Sequence, residues 1–215
     1  MGEETSITVF SYAKINLSLD VGPVRPDGYH PVDMIMQQLL FHDDVRVSFE
    51  EGKVPGENLR RIVLSSSSSD VPKDSRNLAW RAAELLSKRA GTDVPEGTVR
   101  IEIVKRIPVA AGLAGGSGNG AAVLHALNAL WKLNLSFPDL MKEGAKLGAD
   151  VPFCVMGQAA GNLNLPENIR TYPAAASAAR ATGIGTILSP VHSRRMPLVF
   201  AKPEISVSTA EVFRG

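Results

Sequence analysis

Pro108-Val-Ala-Ala-Gly-Leu-Ala-Gly-Gly-Ser-Gly-Asn-Gly120 is a glycine-dense loop around which the rest of this sequence is organised. Residues 98–104, before the loop, alternate side chains as a strand with one solvated face does. Residues 121–133, after it, predict an amphipathic helix. Its apolar stripe consists of Val123, Leu124, Leu127, Leu130 and Trp131. The loop is therefore expected to connect a strand to a helix.

The glycines of this loop predict a site for an anion. Glycine lets the backbone approach a ligand closely, and the positive end of the next helix dipole points at the same place. The spacing fits neither the G-x-G-x-x-G dinucleotide fingerprint nor the Walker pattern, which requires a Gly-Lys-Ser/Thr. A phosphate loop of another design is the prediction, and a glycine-rich connection without a ligand is the alternative.

Composition excludes several classes of protein. A chain of 215 residues with 44% apolar residues suggests one large or two small domains with a real core. Lysine and arginine total 23 against 22 acidic residues, so no basic excess favours nucleic acid or an anionic membrane. Small-molecule partners are therefore expected, and neither a nucleic-acid nor a membrane partner.

Targeting and redox signals point to a soluble cytoplasmic protein. The start, Met-Gly-Glu-Glu-Thr, lacks the features of a secretory or transit peptide, and no apolar run reaches the length of a membrane span. The single cysteine, Cys154, cannot form an internal disulfide and indicates a reducing compartment. We expect Cys154 to be a small core residue.

Lys14 and Asn16 lie in a β-rich run over residues 7–21. Because side chains alternate along a strand, these two share one face. A cation and an amide on an otherwise apolar strand predict the wall of a site. A solvated strand face remains the alternative for both.

A turn follows in Arg25-Pro-Asp-Gly-Tyr-His30, where proline fixes φ, the aspartate can form an Asx turn and Gly28 tolerates positive φ. Tyr29 and His30 emerge from this turn, positioned to stack on a ring and to hydrogen-bond it. An ordinary surface turn is the alternative.

Strand and loop patterns fill the next stretch. Residues 34–41 and 44–49 predict two strands of a hairpin around His42-Asp43. Residues 50–60 and the serine run 65–69 predict flexible loops without chemistry.

Helix signals frame the glycine loop on both sides. Asp74 or Ser75 can cap a helix over about residues 77–90, which Gly91 ends. Ser136 and Pro138 open a shorter helix that ends at residues 146–148.

Asp150 follows that shorter helix within Gly148-Ala-Asp-Val-Pro-Phe153 and precedes what reads as an apolar strand. A carboxylate in such a place is poorly solvated and needs a partner. Nearby backbone N–H groups are one candidate partner, and Lys14 is the other.

These stretches together resemble the GHMP kinases. Six segments carry the resemblance in family order: Ala13-Lys-Ile-Asn-Leu17, Arg25-Pro-Asp-Gly-Tyr-His30, Asn77-Leu78, residues 108–122, Ala126-Leu-Asn-Ala-Leu-Trp131 and Gly148-Ala-Asp-Val-Pro-Phe153. Weaker likeness continues in residues 183–186, 202–203 and 207–213.

The resemblance implies phosphoryl transfer from ATP, with Mg²⁺, to the 2-hydroxyl of a cytidine diphosphate-linked methylerythritol in the non-mevalonate route to isoprenoid precursors. Asp150 would take the hydroxyl proton, and Lys14 would hold Asp150 ionised and stabilise the transferring group. The implied phosphate-binding residues are Pro108, Gly112, Leu113, Gly115, Gly116, Ser117, Gly118 and Asn119. Asn77 and Lys105 match positions near the adenosine. The implied substrate contacts are Asn16, Tyr29, His30 and Phe213. No His or Cys spacing suggests a protein-bound structural metal.

Two departures from the family pattern carry expectations. The family has Gly-Leu-Gly-Gly-Gly-Ser-Ser where this chain has Gly112-Leu-Ala-Gly-Gly-Ser-Gly118. Ala114 is expected to resist positive φ, and Gly118 lacks a hydroxyl that could cap the helix or touch phosphate, so weakened nucleotide affinity is expected. Residues 161–180 have no counterpart in the family pattern.

The fold class expected from the resemblance is α+β, a GHMP kinase-like fold of two domains. Residues 1–156 would form the N-terminal ATP-binding domain, and residues 157–215 would begin an incomplete ferredoxin-like C-terminal domain. The active site would lie in the cleft between them. Two other functions remain open: a GHMP kinase of different specificity, and a non-catalytic nucleotide-binding domain.

Overall fold

The computed structural model describes residues 5–26, 28–55 and 60–202. Within these ranges the chain forms six strands and five helices. Their order is β1 (Thr5–Val21), β2 (Val32–Glu51), β3 (Arg60–Ser66), α1 (Leu78–Ala90), β4 (Gly97–Val104), α2 (Gly115–Leu130), α3 (Phe137–Ala145), α4 (Val151–Gly161), α5 (Glu167–Arg170), β5 (Ala178–Gly183) and β6 (Ile187–Pro190). This mixture confirms the predicted α+β class.

β2 is the strand on which the sheet is built. One of its edges pairs antiparallel with β1, and the other is shared by β4, on residues 44–51, and β5, on residues 32–37. β3 runs parallel to β4, and β6 runs antiparallel to β5. Residues 38–43 of β2 therefore face the opening between β4 and β5.

The predicted hairpin around His42-Asp43 is wrong, because residues 32–51 form the single strand β2. His42 and Asp43 keep their places in the ladder, opposite Tyr12 and Ser11. These two polar residues interrupt the apolar pattern of the sequence, but the chain does not turn there, because the pairing of β2 with β1 continues through them. The prediction of loops over residues 50–60 and 65–69 also missed β3, which includes two of the serines.

Helices α1, α2 and α4 and one face of the sheet form the main hydrophobic core. β4 confirms the predicted alternation, since Val99, Ile101 and Ile103 are buried while Arg100 and Glu102 are exposed. The amphipathic prediction for α2 is wrong: every residue from 118 to 128 is buried. A helix enclosed on all sides has no solvated face to reveal its period.

The helix boundaries have identifiable chemical causes. Asn77, rather than Asp74 or Ser75, caps α1 by accepting from the N–H of Ala79, and Gly91 ends the helix as predicted. Ser136 forms a reciprocal capping box with Asp139 at the start of α3, which confirms the predicted opening of that helix.

The residues after Asp150 form the helix α4, so the strand predicted there is wrong. A short apolar run does not distinguish a buried strand from a buried helix, and Pro152 in the first turn was the available signal for a helix. All residues from Val151 to Ala159 are buried, which explains the missing periodicity.

Residues 161–180 pack onto the same core. Leu165 and Ile169 are buried, and Tyr172 stacks on Phe137 with ring centroids 4.6 Å apart. The predicted boundary between residues 156 and 157 falls inside α4, and β5 and β6 belong to the same sheet as β1–β4. The division into two domains stays a prediction. Among the described residues, no helix combines the length and hydrophobicity needed to cross a membrane.

Candidate active site

A cavity of about 740 Å³ lies against the glycine loop. Most of the site residues predicted from the sequence line it: Lys14, Asn16, Asn77, Lys105, Pro108, Gly112, Leu113, Gly115, Gly116, Ser117, Asn119 and Asp150. They come from β1, from the cap of α1, from the loop after β4, from the first two turns of α2 and from the start of α4. Segments that are distant in the sequence therefore converge on one concave surface.

The loop reaches α2 through three residues with positive φ, the first of which is Ala110 with φ of 55°. Gly112 has φ of 72°, and Ala114 has φ of 56° and ψ of 27°. Ala114 adopts the left-handed conformation at the N-cap of α2, where positive φ was expected to be costly for alanine. The expected effect on nucleotide affinity stays a prediction.

The first turn of α2 presents backbone N–H groups at the cavity wall. The backbone N–H of Gly118 already bonds the carbonyl of Ala114 at 2.8 Å, so the N–H groups of residues 115–117 precede the first intrahelical bonds. A side chain at Gly115 would lie 3.0 Å from both Ile107 and the Lys105 ammonium, so only glycine fits there easily. Amides at a helix N-terminus, on a cavity wall, form a site for a phosphate group.

Lys14 and Asp150 meet at this cavity, with Nζ and Oδ2 3.7 Å apart. The side chain of Lys14 is 7% exposed and that of Asp150 is 35% exposed. The Lys14 ammonium also donates to Oδ1 of Asn16 at 3.1 Å, which confirms that these two side chains share a face. Of the two partners considered for Asp150, the structure therefore provides the lysine.

Two local features hold this pair in place. The register of β1 against β2 shifts on both sides of residues 14–16, and such irregularities re-aim side chains beside functional sites. The backbone N–H of Lys14 donates to the carbonyl of Leu113 at 3.1 Å, which ties β1 directly to the glycine loop. The position of the ammonium and that of the loop are thus set together.

Asp150 is the N-cap of α4, but its carboxylate makes no capping hydrogen bond. The helix dipole favours its negative charge, and its oxygens face Lys14 and the cavity. Burial, and then the charge of Asp150, raise the pKa of the nearby Cys154 thiol far above its usual value. The thiol stays protonated and belongs to the core, as predicted.

Asn77 forms another part of the cavity wall. Its Nδ2 donates to the carbonyl of Pro72 at 2.8 Å while its Oδ1 caps α1. Arg76 lies beside it on the cavity and binds both oxygens of Asp74, and this lowers the pKa of Asp74 to about 2. Arg76 was not predicted as a site residue, and an arginine in a turn offers no pattern that would reveal it.

Some predicted residues do not lie at this cavity. Tyr29 and His30 are not among its lining residues; Tyr29 is 59% exposed, and His30 Nδ1 bonds the carbonyl of Gly22 at 2.9 Å. Gly118 lies on the opposite side of α2, where a side chain would meet Oγ of Ser11. Phe213 lies outside the described residues.

The family comparisons agree with this geometry. The family model described as "GHMP kinases N terminal domain" matches residues 77–158, which include the glycine loop and Asp150. The chain is 47% identical over 205 residues to the 4-diphosphocytidyl-2-C-methyl-D-erythritol kinase of Alkaliphilus metalliredigens, with 95% of this chain and 60% of the relative covered. It is 46% identical to the enzyme of that name from Geobacillus thermodenitrificans, with 97% of this chain and 63% of the relative covered.

A solved structure supports the same family. A crystal structure of a 4-(cytidine 5'-diphospho)-2C-methyl-D-erythritol kinase superposes with a TM-score of 0.65 at 31% identity, covering 97% of this chain and 63% of the other. The chain thus spans about 60% of the length of the curated relative it matches at 47% identity.

Proposed function

Because this chain belongs to the GHMP kinase superfamily, we propose that it carries the ATP-binding and catalytic groups of a kinase acting on 4-diphosphocytidyl-2-C-methyl-D-erythritol. The observation that carries the proposal is the Lys14–Asp150 pair, 3.7 Å apart on a cavity walled by helix N-terminal amides. Relatives at 46–47% identity that bear this enzyme's name support the choice of substrate.

In the proposed reaction the Asp150 carboxylate accepts the proton of the substrate 2-hydroxyl. The hydroxyl oxygen bonds to the γ-phosphorus of ATP, the bond to the bridging oxygen breaks, and ADP leaves. Lys14 pairs with the Asp150 carboxylate and stabilises the negative charge on the transferring group. Catalysis of this kind consists mostly of positioning and electrostatics, which a lysine, an aspartate and a ring of amides can supply.

The phosphates would lie against the N–H groups of residues 115–117, and Asn77 and Lys105 would flank the rest of the nucleotide. Among the described residues no group of three or more His, Cys, Asp or Glu side chains could hold a metal ion. Mg²⁺ at this site would be held mainly by the ATP phosphates and water. The Ser117 hydroxyl, at the cavity wall, is the protein oxygen that could also bind it. When bound, the ion neutralises charge on the phosphates.

One observation favours a second candidate, a GHMP kinase that acts on a different alcohol. Tyr29 and His30, which would recognise the cytosine together with Phe213, do not line the cavity that holds Lys14 and Asp150. The site for phosphoryl transfer would be the same, and only the recognition of the alcohol would differ. The division at residues 156–157 and a cytoplasmic location remain part of the main proposal.

The test is ADP formation by this chain with ATP, Mg²⁺ and the cytidine diphosphate-linked alcohol. Asp150→Asn is expected to lower kcat by about 10²–10⁴-fold, since a positioned general base contributes that much. ADP binding, measured by calorimetry, should be retained because the amides remain in place. Asp93→Asn is the matched control, since Asp93 is exposed in the turn between α1 and β4 and does not line the cavity.

Turnover on another alcohol alone would favour the second candidate. Nucleotide binding without turnover on any alcohol would favour a non-catalytic nucleotide-binding domain. Full activity of Asp150→Asn would contradict the proposed mechanism.

A further inference from the structure

Asp43 is a residue of β2 that lies behind the glycine loop, next to the point where β4 ends and the chain leaves the sheet. The last pair between β2 and β4 joins Asp44 to Val104, so Asp43 is the first residue of β2 beyond it. Its side chain is fully buried. A buried carboxylate is unfavourable unless charged and hydrogen-bonding partners surround it.

Asp43 has such partners on both ends of the loop. Its Oδ1 accepts from the backbone N–H of Arg106 at 2.7 Å and of Ile107 at 2.8 Å. Its Oδ2 accepts from the Lys105 ammonium at 2.8 Å. Three donors at the start of the loop therefore converge on one carboxylate.

Asn119, in the second turn of α2, is the fourth donor. With its amide nitrogen turned toward the acceptors, it lies 3.1 Å from Oδ2 of Asp43, 3.1 Å from the Gly115 carbonyl and 2.8 Å from Oγ of Ser11. The same carboxylate thus joins the start of the loop to the helix in which the loop ends.

Lys105 connects this buried cluster to the cavity. Its ammonium also donates to the Ile107 carbonyl, lies at the place where a side chain on Gly115 would be, and lines the cavity. The lysine side chain is 7% exposed, so its charge faces only the cluster and the cavity. Replacing Asp43 would release this charge without touching the groups that react.

We propose that Asp43 is a positioning residue of the nucleotide site, which acts through Lys105 by fixing its ammonium against the glycine loop. The proposal rests on the proposed function, because it assumes that the cavity binds a nucleotide. A neutral isostere at position 43 can no longer accept from all four donors and leaves the lysine charge without its counter-ion.

The experiment measures ADP binding to this chain by calorimetry for four variants. Asp43→Asn is expected to weaken binding by about tenfold or more, as the loss of a charge-assisted contact does. Asp44→Asn is the matched control, since Asp44 is the adjacent carboxylate and pairs with Arg106 outside the cavity; its affinity should equal the wild-type value. In turnover, Asp43→Asn should raise the KM for ATP and leave the KM for the alcohol unchanged, a split that general destabilisation does not produce.

Two further variants test whether Asp43 acts through Lys105. They are Lys105→Met and the double variant Asp43→Asn/Lys105→Met. If Asp43 acts through Lys105, the double variant binds ADP as weakly as Lys105→Met and no more weakly. The double variant leaves no uncompensated charge, so this comparison stands even if Asp43→Asn alone fails to fold.

Wild-type affinity in a folded Asp43→Asn, or a further loss in the double variant, would overturn the inference and leave the proposed function intact. Absence of ADP binding by the wild-type chain would contradict both. These two failures are therefore distinguishable.

Discussion

Two lysine–aspartate pairs flank the glycine loop, one on each side. Lys14 and Asp150 are 3.7 Å apart on the cavity side, and the aspartate side chain is 35% exposed. Lys105 and Asp43 are 2.8 Å apart on the buried side, where the aspartate is fully buried and the lysine side chain is 7% exposed. The residue types are the same and both lysine side chains are 7% exposed, so the pairs differ in the burial of their aspartates.

The difference shows what makes a carboxylate useful as a base. The oxygens of Asp43 already accept from two backbone amides, an ammonium and the Asn119 amide, so no acceptor position is available for a substrate proton. Asp150 faces the cavity and makes no capping bond to its own helix. We therefore assign anchoring to the buried pair and proton transfer to the open one.

Truncating each aspartate is the strongest test of this assignment. Asp43→Ala is expected to lower the free energy of unfolding by about 3–5 kcal/mol, because it leaves the Lys105 ammonium and the N–H groups of Arg106 and Ile107 without the fully buried carboxylate that they bond. Asp150→Ala should lower it by about 1 kcal/mol or less, as for other partly exposed ion pairs. Urea denaturation monitored by circular dichroism measures both, with an unchanged m-value as the check on two-state unfolding. Equal losses would end the distinction between the pairs.

The second prediction concerns His125, which lies on α2 behind the loop. Its neutral ring donates from Nε2 to the carbonyl of Val155 at 3.0 Å, and complete burial lowers its pKa to about 4. Unfolding returns the pKa to its ordinary value near 6.5, so between these values the unfolded state binds more protons. The stabilisation is therefore complete above pH 6.5 and is lost as the pH falls toward 4.

We expect this group alone to remove about 3 kcal/mol of stability between pH 7 and pH 4, from about 1.4 kcal/mol for each pKa unit. The measurement is the free energy of unfolding of wild type and His125→Gln across that range. The difference between the two should shrink as the pH falls. A constant difference would show that His125 does not titrate on unfolding.

The sequence was sufficient to predict the residues on the cavity side of the glycine loop, but it did not predict those on the buried side. Lys14, Asn16, Asp150 and the glycines at 112, 115 and 116 stand in motifs, and the structure brings these residues to one cavity. Asp43 offered no signal, because a single aspartate inside a strand has no spacing to recognise. Its partners approach from the loop after β4 and from α2, and only the three-dimensional structure shows that they converge.

Two physical causes account for most of the errors in secondary structure. α2 is buried on all sides over residues 118–128, so its sequence has no hydrophobic period that could show which face is solvated. α4 is buried in the same way over residues 151–159, so its sequence could not be told from that of a buried strand. Polar residues such as His42-Asp43 suggested a turn, although β2 continues through them. At Ala114, tertiary contacts override the residue's preference for negative φ.

The smallest expected effect comes from the tight contact between the buried side of α2 and β1. A side chain at Gly118 would lie 2.5 Å from Oγ of Ser11, a distance that real contacts do not show. Gly118→Ala is therefore expected to destabilise the fold by about 0–2 kcal/mol, the usual 1–3 kcal/mol of overpacking less about 1 kcal/mol from the better helix propensity of alanine. The free energy of unfolding in urea measures it.

A double-mutant cycle separates this contact from other effects of the substitution. In a Ser11→Ala background the space is open, so Gly118→Ala should become neutral or stabilising, with a coupling energy of about 1–3 kcal/mol. Gly116→Ala is the matched control, since Gly116 lies in the same helix and a side chain there would meet nothing within 4 Å; it should show no coupling to Ser11→Ala. Additive effects at position 118 would mean that α2 can move away from β1, and the buried side of the loop would then be no more rigid than the cavity side.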